Sequence, residues 1–239
     1  MNKYNTAFEF TLKSMIDRSC ELYADRPALS TIDSQPITYS DLRNQIDALI
    51  LMMAEKGIVK GDRVAILGQN MPNWGVAYLA ITSMGAVVVP ILTDFHVSEV
   101  LHILKHSEAK MVFVSSAQYD KIGYADLDPK IILVMLDNFE PVQLQFPRDK
   151  VGGFIYEQGK QLQKLRNRAA KAIGLIQSKV AEDDMASLIY TSGTTGHSKG
   201  VMLSHKNLVL NAFITTRFQN VDSNDRLISI LPLSHTYEC

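Results

Sequence analysis

Short continuous apolar runs alternate along the chain with longer stretches whose apolar positions recur every three or four residues. Residues Ala7 to Tyr23 read as a helix, with Phe10, Met15, Ile16 and Leu22 as candidate core positions. Pro27 to Ile32 and Ile37 to Tyr39 read as short strands. Ser40 is placed to cap the next helix, which carries Leu42, Ile46, Leu49, Ile50 and Met53 at helical spacing and stops at Gly57. A buried strand over Asp62 to Leu67 follows. Asn70 is the expected cap of a helix from Met71 to Met84, with Pro72 tolerated in its first turn. Ala86 to Ile91 is a strand, Ser98 to His106 a helix, and Met111 to Val114 and Ile131 to Leu136 are strands. Beyond them, 137–150 reads as an exposed connection and Phe154 to Val180 as a charged, helix-favouring stretch. Ala186 to Tyr190 is strand-like, Ser204 caps a helix through Leu210, and Leu227 to Leu231 closes the pattern as a strand.

Strands and helices alternate, and the strands are continuously apolar. That pattern predicts an α/β fold whose mostly parallel sheets are sandwiched by helices. With 239 residues, the chain is long enough for one sizeable core or two small ones. A net charge of −1 without a commanding basic run gives no electrostatic reason to expect a nucleic-acid partner. The basic portion Lys164 to Lys171 reads first as a solvated helix face, and second as a contact for ligand phosphates or a membrane surface. Cys20 and Cys239 lie at opposite ends of the chain and argue for a reducing compartment rather than a disulfide framework. No signal-peptide pattern and no apolar run of about 20 residues is present, so the expected location is cytoplasmic.

The chemistry concentrates in Tyr190-Thr191-Ser192-Gly193-Thr194-Thr195-Gly196-His197-Ser198-Lys199-Gly200. Its glycines allow backbone N–H groups to converge on an anion. The hydroxyls of Thr191, Ser192, Thr194 and Thr195 can reach phosphate oxygens, and Lys199 adds a cation. A plain Gly/Ser/Thr surface loop fits the composition equally well. The Walker spacing fails, because Ser198 precedes Lys199-Gly200 where a Gly-Lys-Ser/Thr is required. Gly196 to Gly200 does fit the serine-hydrolase elbow, with Ser198 as nucleophile and Asp225 and His235 downstream. Against that reading, Thr191 to Thr195 separate the elbow from its strand, and no oxyanion segment precedes it. His102 and His106 are four apart on a helix, but Ile103 stands where a zincin needs Glu, so they read as a solvent-facing pair.

The loop, continued through Val201-Met202-Leu203-Ser204-His205-Lys206-Asn207-Leu208, resembles the AMP-binding signature of the adenylate-forming ligases. Acyl-CoA synthetases, luciferases and the adenylation domains of peptide synthetases belong to that superfamily. Ser198 departs from its usual proline. Leu231-Pro232-Leu233-Ser234-His235-Thr236-Tyr237-Glu238 resembles the superfamily's next core motif, most like the long-chain fatty acyl-CoA synthetases. The resemblance implies ATP and Mg2+ as cofactors, CoA as co-substrate and a fatty acid as substrate. It places Thr191, Ser192, Gly193, Thr194, Thr195, Gly196 and Lys199 on the ATP phosphates, with Thr191 also toward the metal. His235 and Lys199 become the catalytic candidates, His235 beside the acyl and α-phosphate side.

The resemblance also divides the chain, with 1–180 as a first α/β sub-lobe and 181–239 as the phosphate loop and the start of a second. The superfamily's later Tyr-Gly-x-Thr-Glu motif, ribose-binding aspartate, hinge and C-terminal lid domain do not occur in residues 1–239. The expectation is an N-terminal portion that is inactive by itself, with homodimerisation or self-association through uncovered surface and a peripheral membrane contact. A non-catalytic nucleotide-binding module is the alternative.

Overall fold

The structure is a computed structural model that describes residues 9–122, 127–142, 179–191, 199–219 and 221–235. Helix α1 (Leu12–Leu22) starts where the Thr11 hydroxyl accepts the Ser14 N–H at 3.0 Å. Strands β1 (Pro27–Leu29) and β2 (Ile37–Thr38) form a small antiparallel pair. Then come α2 (Tyr39–Glu55), β3 (Arg63–Leu67), α3 (Pro72–Ser83), β4 (Val87–Ile91), α4 (Val97–His106) and β5 (Met111–Val114). After a 3-10 turn over Ser116–Lys121 the chain continues with β6 (Ile132–Met135), β7 (Met185–Thr191), β8 (Lys199–Ser204) and α5 (His205–Gln219).

Six strands form one sheet in the order β6-β5-β3-β4-β7-β8. Neighbours are parallel from β6 through β7, and β8 alone runs antiparallel, against β7. Successive side chains on a strand face opposite ways, and each face has its own core. Val64, Ile66, Val88, Met111, Phe113 and Val134 pack beneath α1, α2 and α3. Ala65, Leu67, Val89, Ile91, Val112 and Val114 pack against Val100, Ile103 and Leu104 of α4. Burial on both faces is why these strands read as unbroken apolar runs. Helix α3 lies between the sheet and α1 and α2, with Val76, Ala77, Ala80 and Ile81 wholly buried. Its small residues let the layers approach, and Gly85, at φ +80°, turns the chain directly into β4.

The structure corrects several boundaries. Leu22 is 45% exposed, because the buried stripe of α1 is Leu12, Ile16 and Cys20, and Leu22 sits about 200° round the helix from Cys20. The first strand ends at Leu29, and Ile32 is exposed in the turn beyond it. Thr38 rather than Ser40 caps α2. Its hydroxyl accepts the Asp41 N–H while the Asp41 carboxylate accepts the Thr38 N–H, a reciprocal box that Ser40, with Arg43 three residues on, cannot form. Asn70 does not cap α3; its amide is engaged with residues 229–233. The helix after Ser204 runs past Leu210 to Gln219. Leu227 to Leu231 is not part of any strand described, and Leu227, Ile228 and Ile230 are largely exposed. The charged stretch within 143–178 lies outside the described residues.

Candidate functional site

Strands β7 and β8 pair Ile189 with Val201, Tyr190 with Gly200, and Thr191 with Lys199. The two ends of the Gly/Ser/Thr loop therefore stand side by side, about 5 Å apart between α-carbons. Thr191 and Lys199 form the mouth of the hairpin, at the carboxyl edge of the sheet. Ser192, Gly193, Thr194, Thr195, Gly196 and Ser198 lie outside the described residues. In open α/β sheets this edge is where ligands bind.

The mouth is braced from below. Tyr190 is 3% exposed, and a 2.6 Å hydrogen bond joins its hydroxyl to Nδ1 of His106 at the end of α4. Burial pushes the Tyr190 phenol above its ordinary range, so it stays protonated at neutral pH. A side chain at position 200 would place its β-carbon 3.0 Å from Leu188 Cδ1 and 3.4 Å from Tyr190 Cζ; glycine there lets β8 lie over the phenol ring. His106 is exposed and its ring lies 5.7 Å from that of His102, as expected of a solvent-facing pair, and it is in addition a brace for the loop. Nothing in the sequence joins positions 106 and 190; the sheet order does.

Side-chain hydrogen bonds lace the rest of the carboxyl edge. Ser115 Oγ, after β5, donates to Gln69 Oε1 at 2.7 Å. Asn73 Nδ2 donates to the carbonyls of Leu136 and Asp137, after β6, at 2.9 and 2.8 Å. The Asp137 carboxylate accepts the N–H and hydroxyl of Ser116, each at 2.8 Å. Asn70 carries the lacing to the far end of the chain: its Nδ2 donates to Leu231 O at 2.7 Å, and its Oδ1 accepts the Leu233 N–H at 2.8 Å. His235 lies in the turn that follows, its N–H donating to Pro232 O at 2.8 Å. Beside it Ser234 is buried.

One cavity of about 510 Å³ lies elsewhere, at the amino end of β4, lined by Lys13, Asp17, Arg43, Asp47 and Ser83 among others. Arg43 bridges Asp17 and Asp47, so these charges are mutually occupied. Asp225, the third member of the hydrolase triad, is exposed, and its carboxylate accepts the Asp222 N–H at 2.8 Å in a local turn. Ser198, the nucleophile of the elbow reading, lies outside the described residues.

Strand order, hairpin mouth and laced edge define an α/β protein whose Gly/Ser/Thr loop starts and ends at the carboxyl edge of its sheet. The chain belongs to the family of AMP-binding enzymes, which matches residues 16–239. It is similar to peroxisomal OPC-8:0-CoA ligase 1 of Arabidopsis thaliana, 30% identical over 221 residues, covering 90% of this chain and 37% of that protein. It is also similar to the long-chain-fatty-acid–CoA ligase heimdall of Drosophila melanogaster, 30% identical over 239 residues, covering 94% of this chain and 34% of the relative. Among solved structures it resembles ATP-bound MatB from Rhodopseudomonas palustris, with a TM-score of 0.73 and 25% identity over 96% of this chain and 42% of that one. The chain thus spans well under half the length of these relatives.

Proposed function

We propose that this chain holds the phosphates of ATP in an enzyme that activates a carboxylic acid and passes its acyl group to the thiol of CoA. The observation that carries the reading is the pairing of Thr191 with Lys199 at the hairpin mouth, in a chain of the AMP-binding family. In the first step a carboxylate oxygen bonds to the α-phosphorus while the bond to the bridging oxygen breaks, giving acyl-AMP and pyrophosphate. In the second step the CoA sulfur bonds to the acyl carbon, AMP leaves and the thiol proton is released. The first step brings two anions together, so the protein must supply positive charge and N–H dipoles around the phosphates.

Lys199, with Thr191, Ser192, Gly193, Thr194, Thr195 and Gly196, is assigned to the β- and γ-phosphates. His235 is assigned to the carboxylate and α-phosphate side. Thr191 is exposed at the mouth and offers a hydroxyl oxygen, the donor type that Mg2+ takes. When bound, that ion offsets phosphate charge; no group of three or more His, Cys, Asp or Glu residues among the described ones is placed to hold it alone. A fatty acid is the proposed substrate, supported by the LPLSH-type stretch and by the long-chain ligases among the relatives. No described helix is long and apolar enough to cross a membrane.

The test joins this chain to the remainder of the Drosophila relative and follows acid-dependent exchange of pyrophosphate into ATP across short, medium and long acids. Lys199→Ala is run in parallel, and ATP is titrated onto the 239-residue chain alone. Exchange that peaks with long acids and falls in the variant supports the reading. A folded chimera that binds ATP but exchanges with no acid favours the non-catalytic nucleotide module.

A further inference from the structure

We propose that Asn70 is a positioning residue that fixes the His235-bearing turn at the carboxyl edge of the sheet, opposite the hairpin mouth. The inference rests on the functional reading above only for what His235 does once it is held there.

The geometry is that of a two-point clamp. A carboxamide has one acceptor oxygen and one donor nitrogen, the same pair a backbone peptide presents. Asn70 uses both on one short stretch: Nδ2 donates to Leu231 O at 2.7 Å and Oδ1 accepts the Leu233 N–H at 2.8 Å. Nδ2 also lies 3.2 Å from Ser229 Oγ. The pairing is satisfied in one amide orientation only, since a flipped amide would set donor against donor and acceptor against acceptor. Residues 227–231 belong to no described strand and are largely exposed, and Asn70 bonds this stretch from the edge of the sheet. The bonds join residues 161 and 163 positions apart.

The anchor itself is rigid. Asn70 follows Gly68 and Gln69 at the end of β3, and Gln69 is tied to Ser115. Asn73, in the first turn of α3, is tied to Leu136 and Asp137. Gly68 packs so closely that an added β-carbon would come 2.5 Å from Leu136 Cδ2 and 3.3 Å from Ser115 Cβ. Strand β3, which leads to Asn70, is separated from β7, which ends at Thr191, by β4 alone, so the two strand ends lie on the same edge about 10 Å apart. A side chain that fixes Leu231 and Leu233 therefore fixes the approach of His235 to the space between them, and small displacements of such a group are expensive in rate.

Asn70 is itself exposed, so its replacement leaves the core intact. Asn70→Ala removes both bonds; Asn70→Asp keeps an acceptor for Leu233 and turns a carboxylate toward the Leu231 carbonyl. On the 239-residue chain, exchange of the Leu233 amide is expected to speed about tenfold in Asn70→Ala, the value of one hydrogen bond, and to stay near wild type in Asn70→Asp. The His235 ring resonance, assigned with His235→Gln, is expected to move in both variants. In the chimera, kcat for pyrophosphate exchange should fall about ten- to a hundredfold while KM for ATP stays within about twofold. An unchanged Leu233 amide and an unmoved His235 resonance in Asn70→Ala overturn the clamp. A released Leu233 with kcat unchanged overturns the positioning role. If the unmutated chimera shows no exchange, the functional reading falls, and the amide and ring readouts still decide the clamp.

Discussion

Lowering the pH toward 4 should loosen the start of α1 through one buried imidazole. His205 is fully buried at the junction of β8 and α5, and its Nδ1 accepts the Leu12 N–H at 3.3 Å. With Nδ1 as acceptor, the neutral ring carries its proton on Nε2, which finds no partner among the described residues. Around it, the backbone carbonyl of Asp184 accepts the His205 N–H at 3.1 Å, and Lys60 lies on the Asp184 carboxylate at 2.6 Å. Glu182, in the same stretch, accepts the Phe10 N–H at 2.9 Å, so both contacts fasten the entry of α1. Burial pulls the His205 pKa from 6.5 to about 4, with Asp184 opposing and Lys60 assisting. The folded pKa is below the unfolded one, so the unfolded chain binds more protons in between. The stabilisation is fully present above pH 6.5 and is lost as pH falls to about 4. At 1.36 kcal/mol per unit, the loss totals about 3 kcal/mol, a large part of the ~5–15 kcal/mol typical of a domain. Asp41 and Asp184, both lowered, lose their contributions only at more acid pH, whereas Asp47 and Glu140, raised by burial, act in the opposite direction. Urea unfolding at steps from pH 7 to 4.5 measures the effect against His205→Gln, which keeps an acceptor but cannot titrate. Wild type should lose about 2 kcal/mol or more relative to the variant. Parallel curves for the two proteins would refute the assignment.

Three further outcomes follow from packing. Gly68→Ala should destabilise the chain by about 1–3 kcal/mol in thermal or urea melts, because Leu136, which the new methyl would strike, is itself fully buried. Tyr190→Phe should lose about 1 kcal/mol by removing the His106 bond, and combining it with His106→Ala should add little more. The exposed Phe218, Leu227, Ile228 and Ile230 should drive self-association, visible as concentration-dependent sedimentation; a monomer at all concentrations would count against it.

The parallel sheet was legible because β3, β4 and β5 are buried on both faces. Burial of that kind demands an apolar residue at every position, and glycines such as Gly57, Gly61 and Gly85 mark where the helices and strands change over. The hairpin ends were legible because a glycine- and hydroxyl-rich loop between two apolar runs restricts where Thr191 and Lys199 can stand. What pattern could not show was side-chain destination. Asn70 before Pro72 has the local look of a cap, and only the folded sheet brings residues 229–233 within its reach. His106 is the surface histidine its spacing suggested, but its bond to Tyr190 was not legible because that partner is 84 positions away. Leu227 to Leu231 has strand composition, but a strand also needs a neighbour, and periodicity carries no information about that.

The central claim is that the hairpin mouth holds the phosphates of ATP. The most direct measurement is the protection of Lys199 from amine acylation in the 239-residue chain, followed by peptide mass spectrometry as Mg-ATP is added. Mg-ATP is expected to slow modification of Lys199 while exposed lysines such as Lys56 react unchanged. Lys199 reacting at the same rate at every ATP concentration, in a chain shown by another method to bind ATP, would place the nucleotide elsewhere and contradict the claim.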